Sequence, residues 1–153
     1  MSRIHVDRRI GRGFYIAFTL VLISTSLVTA AERYAVTANI ANIRSGPGTN
    51  HPILFEAEKY YPLIVLKKAG KWFQVKDFEG DVGWIFNTLV QEVTTVITKK
   101  SKCNIRSGPG LKDQVLFIAE RGVPFLVIGT KGKWIHVRHA DGPEGWIHSS
   151  LVW

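Results

Sequence analysis

Two arginines sit in the same seven-residue setting, Asn42-Ile43-Arg44-Ser45-Gly46-Pro47-Gly48 and Asn104-Ile105-Arg106-Ser107-Gly108-Pro109-Gly110. A guanidinium held on a rigid frame can clamp a carboxylate through two parallel hydrogen bonds. It can equally stack on an indole and hydrogen-bond its own turn. Trp72, Trp84, Trp134 and Trp146 recur at the same offset of 62 residues. Each joins an apolar body to a polar handle, which suits a binding groove; each could also close the end of a small barrel. Tyr60 and Tyr61 stand where the second copy has Gly122 and Val123, and are expected to be exposed contact aromatics. His136 replaces Gln74 beside the second copy's tryptophans. Arg44, Tyr60, Tyr61, Trp72, Trp84, Arg106, Trp134, His136 and Trp146 are therefore the candidate ligand-binding residues, with the loop around His51 next in line.

Other chemistry finds less support in the sequence. His136 and His148 would be diagonal neighbours on one sheet face, with His139 near in sequence, but no Cys, Asp or Glu completes a recognised ligand spacing. No metal and no cofactor is expected. The lone cysteine, Cys103, shares strand parity with Ile105, so it is expected to be a small buried side chain and cannot form an intramolecular disulfide. No serine sits in a G-x-S-x-G elbow, and the serine of each motif is fixed between Arg and Gly with no histidine placed to activate it. The chain is expected not to be an enzyme.

The elements that must position these residues follow from the repeat. From Asn42 to Val90 the second copy aligns without a gap, with about half the positions identical. Strands are expected near 38–44, 53–56, 62–67, 72–77 and 81–86, and near 100–106, 115–118, 124–129, 134–138 and 144–148. In Ser-Gly-Pro-Gly, Pro47 suits the second position of a type II turn and Gly48 its left-handed third position. The segment 91–102 contains no Gly or Pro and is rich in β-branched residues. It is expected to be extended chain shared between the units. Alternation places Phe73, Val75 and Ile85 on a core face. Trp72, Gln74, Trp84 and Phe86 fall on the opposite face, with Gln74 across from Trp84 and Trp72 across from Phe86. The second copy repeats that face as Trp134, His136 and Arg138 against Glu144, Trp146 and His148.

The motif N-I-R-S-G-P-G, followed by a proline before an apolar strand, then G-K-W, G-W-I and Leu-Val, resembles the bacterial SH3-like (SH3b) domain, here in tandem. The resemblance covers nearly all of residues 38–153. It implies an all-β fold of two small SH3-like barrels, over 33–92 and 93–153. It also implies a cell-wall peptide or peptidoglycan as ligand, and a family setting in which such domains accompany separate wall-cutting domains. No such domain follows Trp153 in this sequence, which supports the expectation of a non-catalytic binding module.

The first thirty residues read differently. Arg3, Arg8, Arg9 and Arg12 precede an apolar run from Phe14 to Val28, and Val28-Thr29-Ala30 ends it. These are the parts of a secretory signal peptide, cleaved after Ala30. The apolar run is short for a membrane span. Its removal would lower the formal charge from +8 to +5. A basic exported chain meets no cytoplasmic nucleic acid, and its anionic partners are wall polymers, peptide carboxylates and lipid headgroups. The expected location is periplasmic or secreted. An envelope-protein scaffold and a membrane sensor anchored by an uncleaved leader are the alternative roles.

Overall fold

The computed structural model describes residues 31–153. The signal peptide expected over 1–30 lies outside the described residues. No helix among the described residues is long and apolar enough to cross a membrane.

The described chain is all-β and forms two antiparallel sheets, each built from one repeat. In the first, β1 (Glu32–Val36), β2 (Ile40–Arg44), β3 (Ile53–Glu58), β4 (Pro62–Ala69), β5 (Trp72–Lys76), β6 (Val82–Phe86) and β7 (Val90–Gln91) lie in the order β3-β2-β6-β5-β4-β1-β7. In the second, β8 (Thr95–Ile97), β9 (Cys103–Arg106), β10 (Val115–Ala119), β11 (Pro124–Lys131), β12 (Trp134–Arg138) and β13 (Glu144–His148) lie in the order β10-β9-β13-β12-β11-β8. A 3-10 turn follows the last long strand of each sheet, at Asn87–Leu89 and Ser149–Leu151.

Strand alternation decides which side chains go inside. Val36, Ala41, Ile43, Ala57, Leu63, Val75, Ile85 and Val90 form one buried cluster. Cys103, Ile105, Ala119, Phe125, Val137, Ile147 and Val152 form the other. Every strand of the first sheet, both edges included, contributes to its cluster, so the sheet must curl around it into a barrel. Each fully buried Ile or Val contributes about 1.5–3 kcal/mol, and units this small have little burial to spare. Cys103 is fully buried, and burial pushes its thiol pKa up.

Curling needs bends, and both copies bend at the same places. The β2–β3 register shifts at Leu54 and the β9–β10 register at Leu116; β4 shifts at Leu66 and β11 at Ile128. One extra residue in a strand kinks it and increases its twist. Where β2 crosses onto β6, Gly83 lets the Ile43 side chain approach. A Cβ at Gly145 would stand 2.6 Å from Ile105 Cγ2 and 2.7 Å from the Arg106 carbonyl oxygen. Only glycine fits there.

One expectation is corrected. Gly48 and Gly110 are not in the left-handed region; the glycines that are include Gly70, Gly80, Gly122, Gly132 and Gly142. The glycines of the motif instead clear room for the side chain that folds over the turn. A Cβ on Gly46 would lie 2.5 Å from His51 Nδ1, and one on Gly108 would lie 2.7 Å from Asp113 Oδ2. The segment 91–102 is extended chain divided between the two sheets, as expected. Gln91 pairs with Ala35 in the first sheet, whereas Thr95–Ile97 pairs with β11 of the second, where Ile97 also exchanges backbone hydrogen bonds with Trp153. β1 escaped the sequence reading because it begins directly after the apolar leader.

Candidate functional site

The register reproduces the expected pairs: Trp72 faces Phe86, Gln74 faces Trp84, Trp134 faces His148, His136 faces Trp146, and Arg138 faces Glu144. All four tryptophans are half-buried. Arg44 lies across from Trp84 and Arg106 across from Trp146, so the motif arginine of each copy joins the tryptophan face.

In the first barrel this face opens into a cleft of about 600 Å³. Trp72, Phe86 and Leu89 line it together with Asn42 and Arg44 of β2 and Gly48, Thr49 and Asn50 of the turn. The Trp72 and Phe86 rings meet edge to face with centroids 5.5 Å apart, which fixes the indole as a platform. Arg44 Nη1 donates to the carbonyls of Thr49 at 3.1 Å and His51 at 2.8 Å. Nε and Nη2 have no hydrogen-bond partner among the described residues. The arginine thus does both things that the sequence allows: it ties down its own turn and keeps donors beside the cleft. Trp84 stands next to Arg44 in the register but outside the cleft lining.

In the second barrel the side chains of the same face pair with one another. His136 stacks on Trp146 with centroids 4.7 Å apart and planes 6° from parallel. Arg138 Nε donates to Glu144 Oε2 at 2.8 Å, and His136 Nε2 lies 3.9 Å from Glu144 Oε1. Trp134 meets His148 edge to face at 5.3 Å, and Arg106 Nη1 donates to the Asp113 carbonyl at 2.9 Å. Among the described residues no three His, Cys, Asp or Glu side chains gather closely enough to hold a metal ion.

Tyr60 and Tyr61 are not the exposed pair expected. Tyr60 is half-buried with φ of +72°, the left-handed position that Gly122 takes in the second copy. Tyr61 packs onto the core, its ring 6.1 Å from Phe55 and 6.1 Å from Phe78, and its hydroxyl donates to Asp77 Oδ2 at 3.2 Å. Burial first, then the Asp77 carboxylate, pushes its pKa well above the usual phenol value. Asp77 Oδ1 also accepts the backbone N–H groups of Glu79, Gly80 and Asp81 at 2.8–2.9 Å, closing the β5–β6 hairpin. Thr49 and Asn50 fall in the His51 loop named next in line, whereas Asn42 and Leu89 are cleft residues that the sequence does not single out. Only the closure of the barrel brings β2, the turn and the 3-10 segment together.

A family model described as bacterial SH3 domain matches residues 39–91, and a second of the same description matches residues 99–153. Over 90% of its length the chain is 32% identical to "Putative N-acetylmuramoyl-L-alanine amidase YrvJ" of Bacillus subtilis, covering 29% of that protein. Over 44% of its length it is 37% identical to "Probable cell wall amidase LytH" of Staphylococcus epidermidis, covering 24% of that protein. The chain therefore spans less than a third of the curated relatives it matches. A solved NlpC/P60 family protein from Bacillus cereus superimposes with a TM-score of 0.38 at 12% identity, over 79% of this chain and 55% of that one. The expectation that the protein is not an enzyme is overturned by the curated relatives, which are named amidases. It rests on the lack of a recognisable nucleophile and on where the chain ends, and a two-barrel segment occupying a fraction of its relatives gives neither any weight.

Proposed function

Residues 39–91 and 99–153 are two bacterial SH3 domains in tandem, and on that premise we propose that the protein acts at the cell wall, with the first barrel binding peptidoglycan peptide in the cleft between Arg44 and Trp72. The observation that carries this reading is the cleft's mixed chemistry. An indole platform and apolar wall suit a peptide's short side chains, and the free guanidinium donors beside it suit a carboxylate. Relatives named as cell-wall amidases support a wall ligand and a place in wall hydrolysis, in which the barrels hold the protein on the polymer being cut. Binding there requires export, which agrees with the basic-then-apolar leader read over residues 1–30.

Sedimentation with purified sacculi tests the proposal. The full chain is expected to pellet with sacculi, and Arg44→Ala or Trp72→Leu to stay in the supernatant while retaining native circular dichroism. Arg106→Ala is expected to pellet as the parent does. A parent chain that stays in solution overturns the proposal and turns attention to an envelope protein as partner.

A further inference from the structure

The two barrels differ most at the end opposite the motif turns, where the first is filled by its own Tyr61. Shifting by the repeat offset, Tyr61 becomes Val123, Phe78 becomes Ala140, Asp77 becomes His139 and Glu56 becomes Ile118. Two aromatic rings are thereby removed. Leu63 becoming Phe125 returns part of the volume: Phe125 is fully buried and meets the His139 ring at 5.6 Å. A cleft of about 560 Å³ nevertheless remains in the second barrel, lined by Phe117, Ala119, Val123 and Phe125, with Glu120 and His139 at its polar edge. Its rim carries Ile118, which is 57% exposed where the first barrel has a charged Glu.

The first barrel shows what such a space accepts. There a phenol ring lies against Phe55 and Phe78 and donates its hydroxyl to Asp77. In the second barrel Phe117 stands in the place of Phe55, and His139, its Nδ1 taken by the Asp141 N–H, offers Nε2 where Asp77 offers a carboxylate. We propose that the second barrel's cleft is a binding site for an aromatic side chain, specifically a tyrosine ring presented by a partner polypeptide, which takes the position that Tyr61 occupies in the first. The loss of two rings, the replacement of a rim carboxylate by Ile118 and a polar group at the cleft's edge all act in one direction. An apolar pocket with a few placed polar groups is the usual form of a small recognition site. This site shares no residue with the Arg44 cleft and does not depend on the wall reading.

N-acetyl-L-tyrosinamide is the probe, titrated into isotope-labelled full chain and followed by amide and methyl chemical shifts. Shifts are expected at Ala119, Val123 and His139, with N-acetyl-L-leucinamide binding about fivefold more weakly, as ring-on-ring packing dictates. The double variant Val123→Tyr/Ala140→Phe, which restores both rings, should bind the probe at least about tenfold more weakly. Ile118→Glu, an exposed change that spares the core, should also weaken binding should the double variant not fold. Arg44→Ala should leave the probe's affinity unchanged, which separates this site from the wall-binding cleft. Equal affinity for the two amides, shifts elsewhere in the molecule, or undiminished binding by Ile118→Glu overturns the proposal.

Discussion

The two barrels share a scaffold and differ at both ends of it. The first keeps its tryptophan face open as a cleft around Arg44 and Trp72 and fills its opposite end with Tyr61. The second stacks His136 on Trp146, engages Arg138 with Glu144 and leaves its opposite end open. What they share are the parts that make a barrel close: the crossing glycines, the bulges and most strand-core side chains, with Leu63/Phe125 and Ala41/Cys103 among the exceptions. What differs lies on the outer face and at hairpin and loop ends, where a change of side chain does not disturb closure. Duplication has therefore preserved one means of folding while the side chains presented at the two ends have changed.

The sharpest break in that symmetry is expected at the crossing glycines. Gly145→Ala should cost the second barrel about 3 kcal/mol, because the added methyl meets a backbone carbonyl at 2.7 Å that cannot swing away. Gly83→Ala should cost the first less, since the Arg44 carbonyl stands back at 3.2 Å and the conflict falls on the Ile43 side chain. Urea denaturation of each variant measures both, and equal losses would show that the crossings are equivalent.

Next in size is the hairpin lock. Asp77→Ala removes an acceptor of three backbone N–H groups and of the Tyr61 hydroxyl, and should cost about 2 kcal/mol. His139→Ala should cost less, about 1 kcal/mol, since its side chain accepts one backbone N–H, that of Asp141 at 3.3 Å, and meets the Phe125 ring. Chemical melts that rank the two in the opposite order would remove the hairpin lock from the comparison.

A smaller effect, of opposite sign, is expected at the left-handed position. Tyr60→Gly gives the first barrel the residue that the second already has, and should raise its melting midpoint by the equivalent of about 1 kcal/mol. A lowered midpoint would mean that the Tyr60 ring contributes more through packing, for instance beneath Lys59, whose Nζ lies 5.4 Å from the ring centre, than its backbone costs.

The smallest difference concerns pH. The folded-state pKa of Tyr61 is raised above its ordinary value of about 10, so its contribution is present below that pH and lost as pH rises towards the folded value. Parent and Tyr61→Phe melts, compared from neutral to strongly alkaline pH, should show the parent losing ground only above about pH 10. A constant difference would remove ionisation from the account.

Much of this was legible in the residues because it is local. The 62-residue offset, the strands and the pairing of Gln74 with Trp84 and His136 with Trp146 follow from two-residue alternation and hairpin length, which act over neighbours in sequence. The core parity of Ile85 and the burial of Cys103 follow in the same way. The left-handed turn assigned to Gly48 failed because Gly-Pro-Gly is compatible with several bends. The bend adopted is the one that lets His51 fold over Gly46, a contact made by a residue outside the motif.

The sites were decided by what the curled sheet brings together. Tyr61 reads as a loop aromatic until closure of the barrel places Phe55, Phe78 and Asp77 around it. The cleft at Arg44 needs β2, the turn and the segment after β6 at one edge. Alternation says which side of a strand a residue occupies, and that much the chain determines by itself. Whether that side is filled or open depends on the volumes of side chains far apart in sequence, which meet only once the barrel has closed.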